Sequence, residues 1–269
     1  MTQLAPNLLT FLLTYLDDVA VGERGGVSSP LLGCGWERVG VNRYSRGLPA
    51  DTAGDSGEAR KLTDYAGDFL GHPGPKILLP LTAGALIARL ALGRWRWRDL
   101  GIAAGVLAAE PFSEWLIHVG VLHFRPRTVG GRVVDPLLAR KHRAHHRDPR
   151  DEELVFVPMP VLKTFLPGLA VAWLAGTRRL RAALTGVATS YAMLTAYEWT
   201  HFLIHSTYRP RRRLYRAVWR AHRLHHFRNE NYWFGVTSHL GDRVLGTFPA
   251  RDEVPVSSTA RTLGVEAAA

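Results

Sequence analysis

The sequence predicts an all-α, integral membrane protein built from two helical hairpins, and three observations carry that expectation. Four apolar segments follow one another between residues 77 and 204. Short polar turns join the first to the second and the third to the fourth, a spacing that suits antiparallel helix pairs. Arginine gathers behind each pair, and two hairpins bring both basic stretches to one end.

Residues 1–75 read as a peripheral or linker segment. The stretch 4–16 is apolar, but Pro6 and the pair Asp17 and Asp18 hold it to a length too short to cross a bilayer. It lacks the basic flank and the small-residue cleavage site of a signal peptide. Residues 22–75 are rich in glycine, serine, proline and charge, which is linker composition.

The apolar segments cover 77–92, 100–122, 161–175 and 182–204; they define a principal domain of residues 76–249, with 250–269 as a flexible tail. Each is a modest hydropathy signal. Arg89 interrupts the first, Glu110 and Glu114 the second, and Lys163 opens the third, whereas a clean span holds about 20 mostly apolar residues. Four buried helices of a soluble bundle are the competing reading. Charge placement favours the membrane: Arg125, Arg127, Arg132, Arg140, Lys141, Arg143, Arg147 and Arg150 lie between the hairpins, and eight arginines from Arg209 to Arg228 follow the fourth segment. Positive residues on one face of paired apolar helices mark the cytoplasmic side. The turn Arg94-Trp95-Arg96-Trp97-Arg98 is basic at the opposite end; its tryptophans suit a membrane interface, and a shallow, re-entrant pair of hairpins would also accommodate it.

Composition narrows the function classes. At 46% hydrophobic the chain is too apolar to be disordered, and a formal net charge of +11 invites either nucleic acid or an anionic membrane surface. The single cysteine, Cys34, excludes an intrachain disulfide framework and any cysteine-based metal site.

Of the 12 histidines, ten fall into four compact groups: His118 and His123; His142, His145 and His146; His201 and His205; His222, His225 and His226. Positions i, i+3 and i+4 share a helix face, so each HxxHH cluster is expected to present three imidazoles toward one point. His118 and His123 are five apart, out of register on a regular α-helix, and need a helix end or a local bulge between them. The pattern repeats: Glu114-Trp115 precedes the first pair and HRAHH follows, while Glu198-Trp199 precedes the second pair and HRLHH follows. Ten imidazoles are too many for one ion, and about right for two. All-imidazole sets suit iron, copper, zinc or nickel; a pair of redox-active irons is the use that justifies so large a set, because activating dioxygen requires several electrons and open coordination positions. Glu114 and Glu198 either orient imidazole N–H groups or are solvated residues at the bundle end.

The order HxxxxH, HxxHH, HxxxH, HxxHH on two membrane hairpins resembles the fatty acid hydroxylase and sterol desaturase superfamily of integral membrane, non-haem di-iron enzymes. The segment from Asn231 to Phe248 is similar to that family's closing motif, and the resemblance covers about residues 100–249. It implies four transmembrane helices under a cytosolic helical dome. It also implies metal ligands at His118, His123, His142, His145, His146, His201, His205, His222, His225 and His226, and two iron ions, for which zinc can substitute in purified protein. The chain departs from the family at Gly241, where an aromatic residue often precedes the aspartate, here Asp242. His239 either joins the site or lines its entrance.

The resemblance implies oxygen-dependent hydroxylation or desaturation of a lipid, whether fatty acyl, sterol, sphingolipid or carotenoid. His72-Pro73-Gly74-Pro75 is similar to the haem motif of a fused cytochrome b5 domain, but proline stands at its fourth position and no second histidine precedes residue 118. Electrons are therefore expected from a separate donor protein of ferredoxin or cytochrome b5 type, docked on the basic face. The alternative function is a haem-binding membrane electron carrier with bis-histidine ligation. A nucleic-acid binder fits poorly with arginines interrupted by histidines at metal-ligand spacing, and no nucleic-acid partner is expected.

Overall fold

The computed structural model describes residues 60–265, so the stretch 4–16 and the linker composition of residues 22–59 lie outside the described residues. These residues are mostly helical. In chain order they form α1 (Leu62–Gly71), α2 (Pro73–Ala91) and α3 (Trp97–Ile117), which runs on through a π-helical turn (His118–Leu122). Then come β1 (Arg127–Val129), β2 (Arg132–Val134), α4 (Leu137–Arg147), the single turn α5 (Glu152–Val155), α6 (Met159–Thr177), α7 (Leu180–His205), α8 (Arg213–Phe227) and α9 (Leu240–Val244). The two strands depart from the all-α expectation. They form a three-residue antiparallel ladder with Thr128 opposite Val133, closed by Gly130 and Gly131, both at positive φ as so tight a turn requires.

Helix α7 is the axis of the bundle, and α2, α3 and α6 each pack against it. Its buried face is lined with small residues, Ala182, Ala183, Gly186 and Ala188, which let neighbouring backbones approach closely. A Cβ on Gly186 would run into the Trp173 ring, whose Nε1–H donates to Ser190 Oγ at 3.1 Å. Around it Leu78, Leu162, Leu166, Val187 and Tyr191 form one apolar cluster.

Among the described residues three helices are long and apolar enough to cross a membrane: Pro73–Ala91, Trp97–Leu122 and Glu152–Thr177. The fourth apolar segment, expected to match them, lies within α7 and is not among these. Thr185, Thr189, Thr195 and Glu198 dilute its hydropathy. A helix enclosed by three others meets protein on most of its surface, so it can carry polar groups if each is bonded.

The charge that interrupts the first apolar segment is satisfied inside the bundle. Arg89, only 1% exposed, pairs with Asp99 across the α2–α3 turn at 3.2 Å. Its Nε donates to Thr185 Oγ1 at 2.8 Å and its Nη1 to the Gly93 carbonyl at 2.9 Å.

Two expectations about the flanks need correction. Residues 62–75 are part of the fold: α1 buries Tyr65 and Phe69, and the Phe69 ring meets those of Trp199 and Phe202 at 5.0 and 5.9 Å. Aromatics four apart share a helix face, a signal that averaged composition hides. Residues 250–265, expected as a loose tail, bury Val254, Ala260 and Leu263. Ser257 N–H donates to the Arg228 carbonyl at 2.7 Å, and Arg228 Nε donates to the Val254 carbonyl at 2.7 Å, so the segment is bonded to the end of α8.

Candidate metal centre

The ten clustered histidines meet at one end of the bundle and divide into two groups of five. His118, His123, His142, His146 and His225 form one; His145, His201, His205, His222 and His226 form the other. Within each group one ring nitrogen per residue lies within 4.8 Å of all the others. The expectation that each HxxHH cluster aims three rings at one point is corrected here. Adjacent residues diverge by about 100° around an α-helix, so His145 turns away from His146 and His225 from His226. Each repeat therefore gives four rings to one group and one to the other.

The five-residue spacing of His118 and His123 is accommodated by the π-helical turn, in which His123 N–H donates to the His118 carbonyl at 3.0 Å. An i→i+5 turn is wider than an α turn and brings residues five apart onto one face. His201 and His205, four apart, manage the same within the regular helix α7.

Backbone carbonyls fix the tautomers. Nδ1–H of His118 donates to Phe234 O at 2.7 Å, that of His146 to Ala260 O at 2.8 Å, that of His201 to Val155 O at 2.8 Å, and that of His225 to Tyr232 O at 2.8 Å. A neutral ring that donates from Nδ1 carries its lone pair on Nε2, and those Nε2 atoms face inward. His142 Nε2 stands 3.1 Å from that of His118 and 3.2 Å from that of His146. In the other group His205 Nε2 is 3.2 Å from that of His145 and 3.1 Å from that of His222. Neighbouring nitrogens bound to one ion, with bonds of about 2.0–2.1 Å, stand about 3–3.4 Å apart. Nε2 of His123, His201 and His225 is buried without a partner among the described residues, so these sets fit a cation.

The rings are also neutral where a metal needs them so. Burial, followed by the neighbouring imidazoles, holds His142, His145, His222, His225 and His226 well below the usual histidine range. Burial takes His146 down to about 4, against the opposing pull of the Ala260 carbonyl.

Glu114 and Glu198 are buried, and neither is solvated nor hydrogen-bonded to an imidazole. Glu114 accepts the N–H groups of Val236 and Thr237 and the Thr237 hydroxyl. Glu198 accepts the N–H of Val157 at 3.1 Å. The two repeats thus use one device: a glutamate on the long helix holds a loop N–H, and the carbonyl two residues upstream, Phe234 or Val155, holds the histidine one turn further on. Asp242 reinforces the first loop, accepting from Phe234 N–H at 2.9 Å, Gly235 N–H at 2.7 Å and the Thr247 hydroxyl at 2.6 Å. Gly241 has a steric reason, since a Cβ there would strike the Pro111 carbonyl.

His239 belongs to neither group; its ring lies 4.6 Å from that of Phe248, and burial and Arg243 lower it to about 4. His72 pairs with Glu152 at 3.2 Å and stacks near Phe156. The backbone carbonyls and the Ala260 segment have no counterpart in the sequence reading. The C-terminal segment packs through Val254, Ala260 and Leu263, apolar residues too sparsely spaced to mark a helix or strand in the sequence.

The family model described as fatty acid hydroxylase matches residues 103–247. Two dihydroceramide fatty acyl 2-hydroxylases of Arabidopsis thaliana, FAH1 and FAH2, are each 29% identical over 177 and 178 residues, covering 65% of this chain and 72% of each relative. The solved structure of full-length Scs7p, with only its hydroxylase domain visible, superimposes with a TM-score of 0.57 at 23% identity over 68% of both chains, a likeness of fold.

Proposed function

The chain belongs to the fatty acid hydroxylase family, and from that premise we propose that it is a membrane-bound, oxygen-dependent oxidoreductase that hydroxylates the acyl chain of a lipid. The observation that carries the reading is the pair of five-imidazole groups with inward-facing nitrogens. The ten histidines hold two iron ions, which supply the redox chemistry for attack on an unactivated C–H bond. Hydroxylation is favoured over desaturation, and a sphingolipid acyl chain over a sterol or carotenoid, because the similar plant proteins are named as dihydroceramide fatty acyl 2-hydroxylases.

The chain's own groups do the positioning. The carbonyls of Phe234, Ala260, Val155 and Tyr232 keep four ring N–H bonds turned outward, and Glu114, Glu198 and Asp242 hold two of the loops that carry them. Burial keeps the rings unprotonated and water away from them.

In this reading α2, α3 and α6 cross the bilayer as two hairpins with α7 as the fourth, protein-enclosed span, and the histidine end faces the cytoplasm with its arginines. The catalytic domain is residues 76–249, extended by α1 and by the C-terminal segment. A separate, acidic electron donor docks on the basic face.

The test is lipid mass spectrometry of cells expressing the wild type or His145→Ala, alongside iron analysis of the purified protein. A lipid heavier by one oxygen in the wild type alone supports hydroxylation. Loss of two hydrogens would replace it with desaturation, and wild-type protein without bound iron or altered lipid would overturn the oxidoreductase reading.

A further inference from the structure

At the end of the bundle away from the histidines, two turns meet. The α2–α3 turn and the start of α3 carry Arg94, Arg96 and Arg98, and the α6–α7 turn and the start of α7 carry Arg178, Arg179 and Arg181; all six are exposed. Arg181 Nε donates to the Leu92 carbonyl at 3.1 Å, which ties the second turn to the first. The acid within these turns, Asp99, is buried and taken up by Arg89 and by the Arg96 backbone N–H. Among the described residues no ion pair is formed by any of the six arginines.

Two further observations fix the surroundings. Trp95 and Trp97 are 51% and 80% exposed between the arginines, and the Arg89 guanidinium lies 3.7 Å over the Trp95 ring, holding the turn in shape. On the helix surfaces leading into the turns, Ile87, Leu90, Leu100, Val171, Leu174 and Leu180 are all exposed. Charge, then aromatic rings, then an aliphatic collar is the order of chemistry from phosphate to acyl chain in a lipid leaflet. Arg94 and Arg178 also adopt left-handed backbone, at φ 50° and 51°, so each turn accepts strain at a position that glycine would fill more easily.

We propose that these paired turns form a binding surface for anionic phospholipid headgroups in the leaflet opposite the histidine centre. The arginines bind the phosphates, and the tryptophans seat the turns at the depth of the headgroups. The basic turn that runs against the charge asymmetry of the chain is then a lipid site with its own anions. The proposal rests on the reading of these helices as membrane-embedded and is independent of the chemistry at the histidines.

The experiment places the full-length chain in vesicles of phosphatidylcholine mixed with phosphatidylglycerol, with one lipid at a time brominated on its acyl chains. Tryptophan quenching is compared with that of a Trp95→Phe/Trp97→Phe variant, so that the difference reports the turns alone. Brominated phosphatidylglycerol is expected to quench these two residues several-fold more than phosphatidylcholine at equal mole fraction. Each Arg→Gln change at 94, 96, 178 or 179 is expected to lower the local enrichment by up to about fivefold. Equal quenching by the two lipids, or enrichment that survives the four-arginine variant, overturns the proposal. A chain that does not float with the vesicles overturns the membrane reading itself, and the proposal with it.

Discussion

The backbone carbonyl of Ala260 lies 2.8 Å from Nδ1 of His146, so a segment that looks like a tail in the sequence sets the tautomer of a ring in the first imidazole group. The segment is anchored on both sides of that contact: Thr259 Oγ1 donates to Glu230, and Arg147 Nη2 donates to the Val265 carbonyl at 2.7 Å. Removing residues 258–269 is expected to weaken metal binding at the first group by about 10–100-fold while sparing the second. Ala260→Gly keeps the carbonyl and should retain wild-type metal content. Elemental analysis of both purified proteins checks this.

The interleaving of the two groups predicts which pairs of substitutions act on one site. His225→Ala, although next to His226, should damage the same group as His118→Ala, and the double variant should lose little beyond either single one. His225→Ala with His226→Ala should strip both groups. Metal stoichiometry separates the two outcomes; if neighbours in sequence behaved as one site, the division into groups would be wrong.

The loop clamps should act through the histidines they position. Glu114→Ala frees Val236 and Thr237 and is expected to loosen the Phe234 carbonyl from His118; Glu198→Ala does the same for Val155 and His201. Each should lower metal affinity in its own group by roughly tenfold or more. Competition with a graded chelator measures it, and equal losses in both groups would point to general unfolding instead.

Acid should destabilise the metal-free protein. His146 is held near 4 and five other rings lie well below 6.5, so the unfolded chain takes up protons in this range before the folded one does. The stability contributed by these neutral rings is fully present above about pH 6.5 and is lost as pH falls toward about 4. Each unit over which one such ring titrates only in the unfolded chain costs about 1.4 kcal/mol. Thermal melts in detergent should therefore fall steadily from pH 7 to pH 5, and a flat profile would contradict the burial of neutral rings.

Gly186 offers a test of the bundle itself. A Cβ there meets the Trp173 ring, so Gly186→Ala should cost about 1–3 kcal/mol by overpacking. Gly186→Ala combined with Trp173→Phe, which trims the obstructing ring, should recover part of the loss in a denaturation series.

Much of this molecule is written in local spacing. Apolar runs of helical length, turns between them, and histidines at i, i+3 and i+4 are short-range facts, and the backbone geometry of a helix converts them directly into faces and lengths. The repeat from Glu114 to His146 and from Glu198 to His226 likewise announces two related half-sites, and the wide spacing of His118 and His123 announces a helix end or a local bulge, which the structure supplies as a π-helical turn. What needed the tertiary structure is everything that depends on which faces meet. Angular divergence along α4 and α8 sends one ring of each triplet to the other group, but only their packing together with the ends of α3 and α7 brings that ring to its four partners. The carbonyls of Phe234, Ala260, Val155 and Tyr232 carry no side-chain signal at all, because every residue has one and only position selects it. For the same reason Glu114 and Glu198, adjacent to histidines along the chain, bind loop amides instead, and residues 250–265 become part of the centre through bonds that no linear pattern encodes.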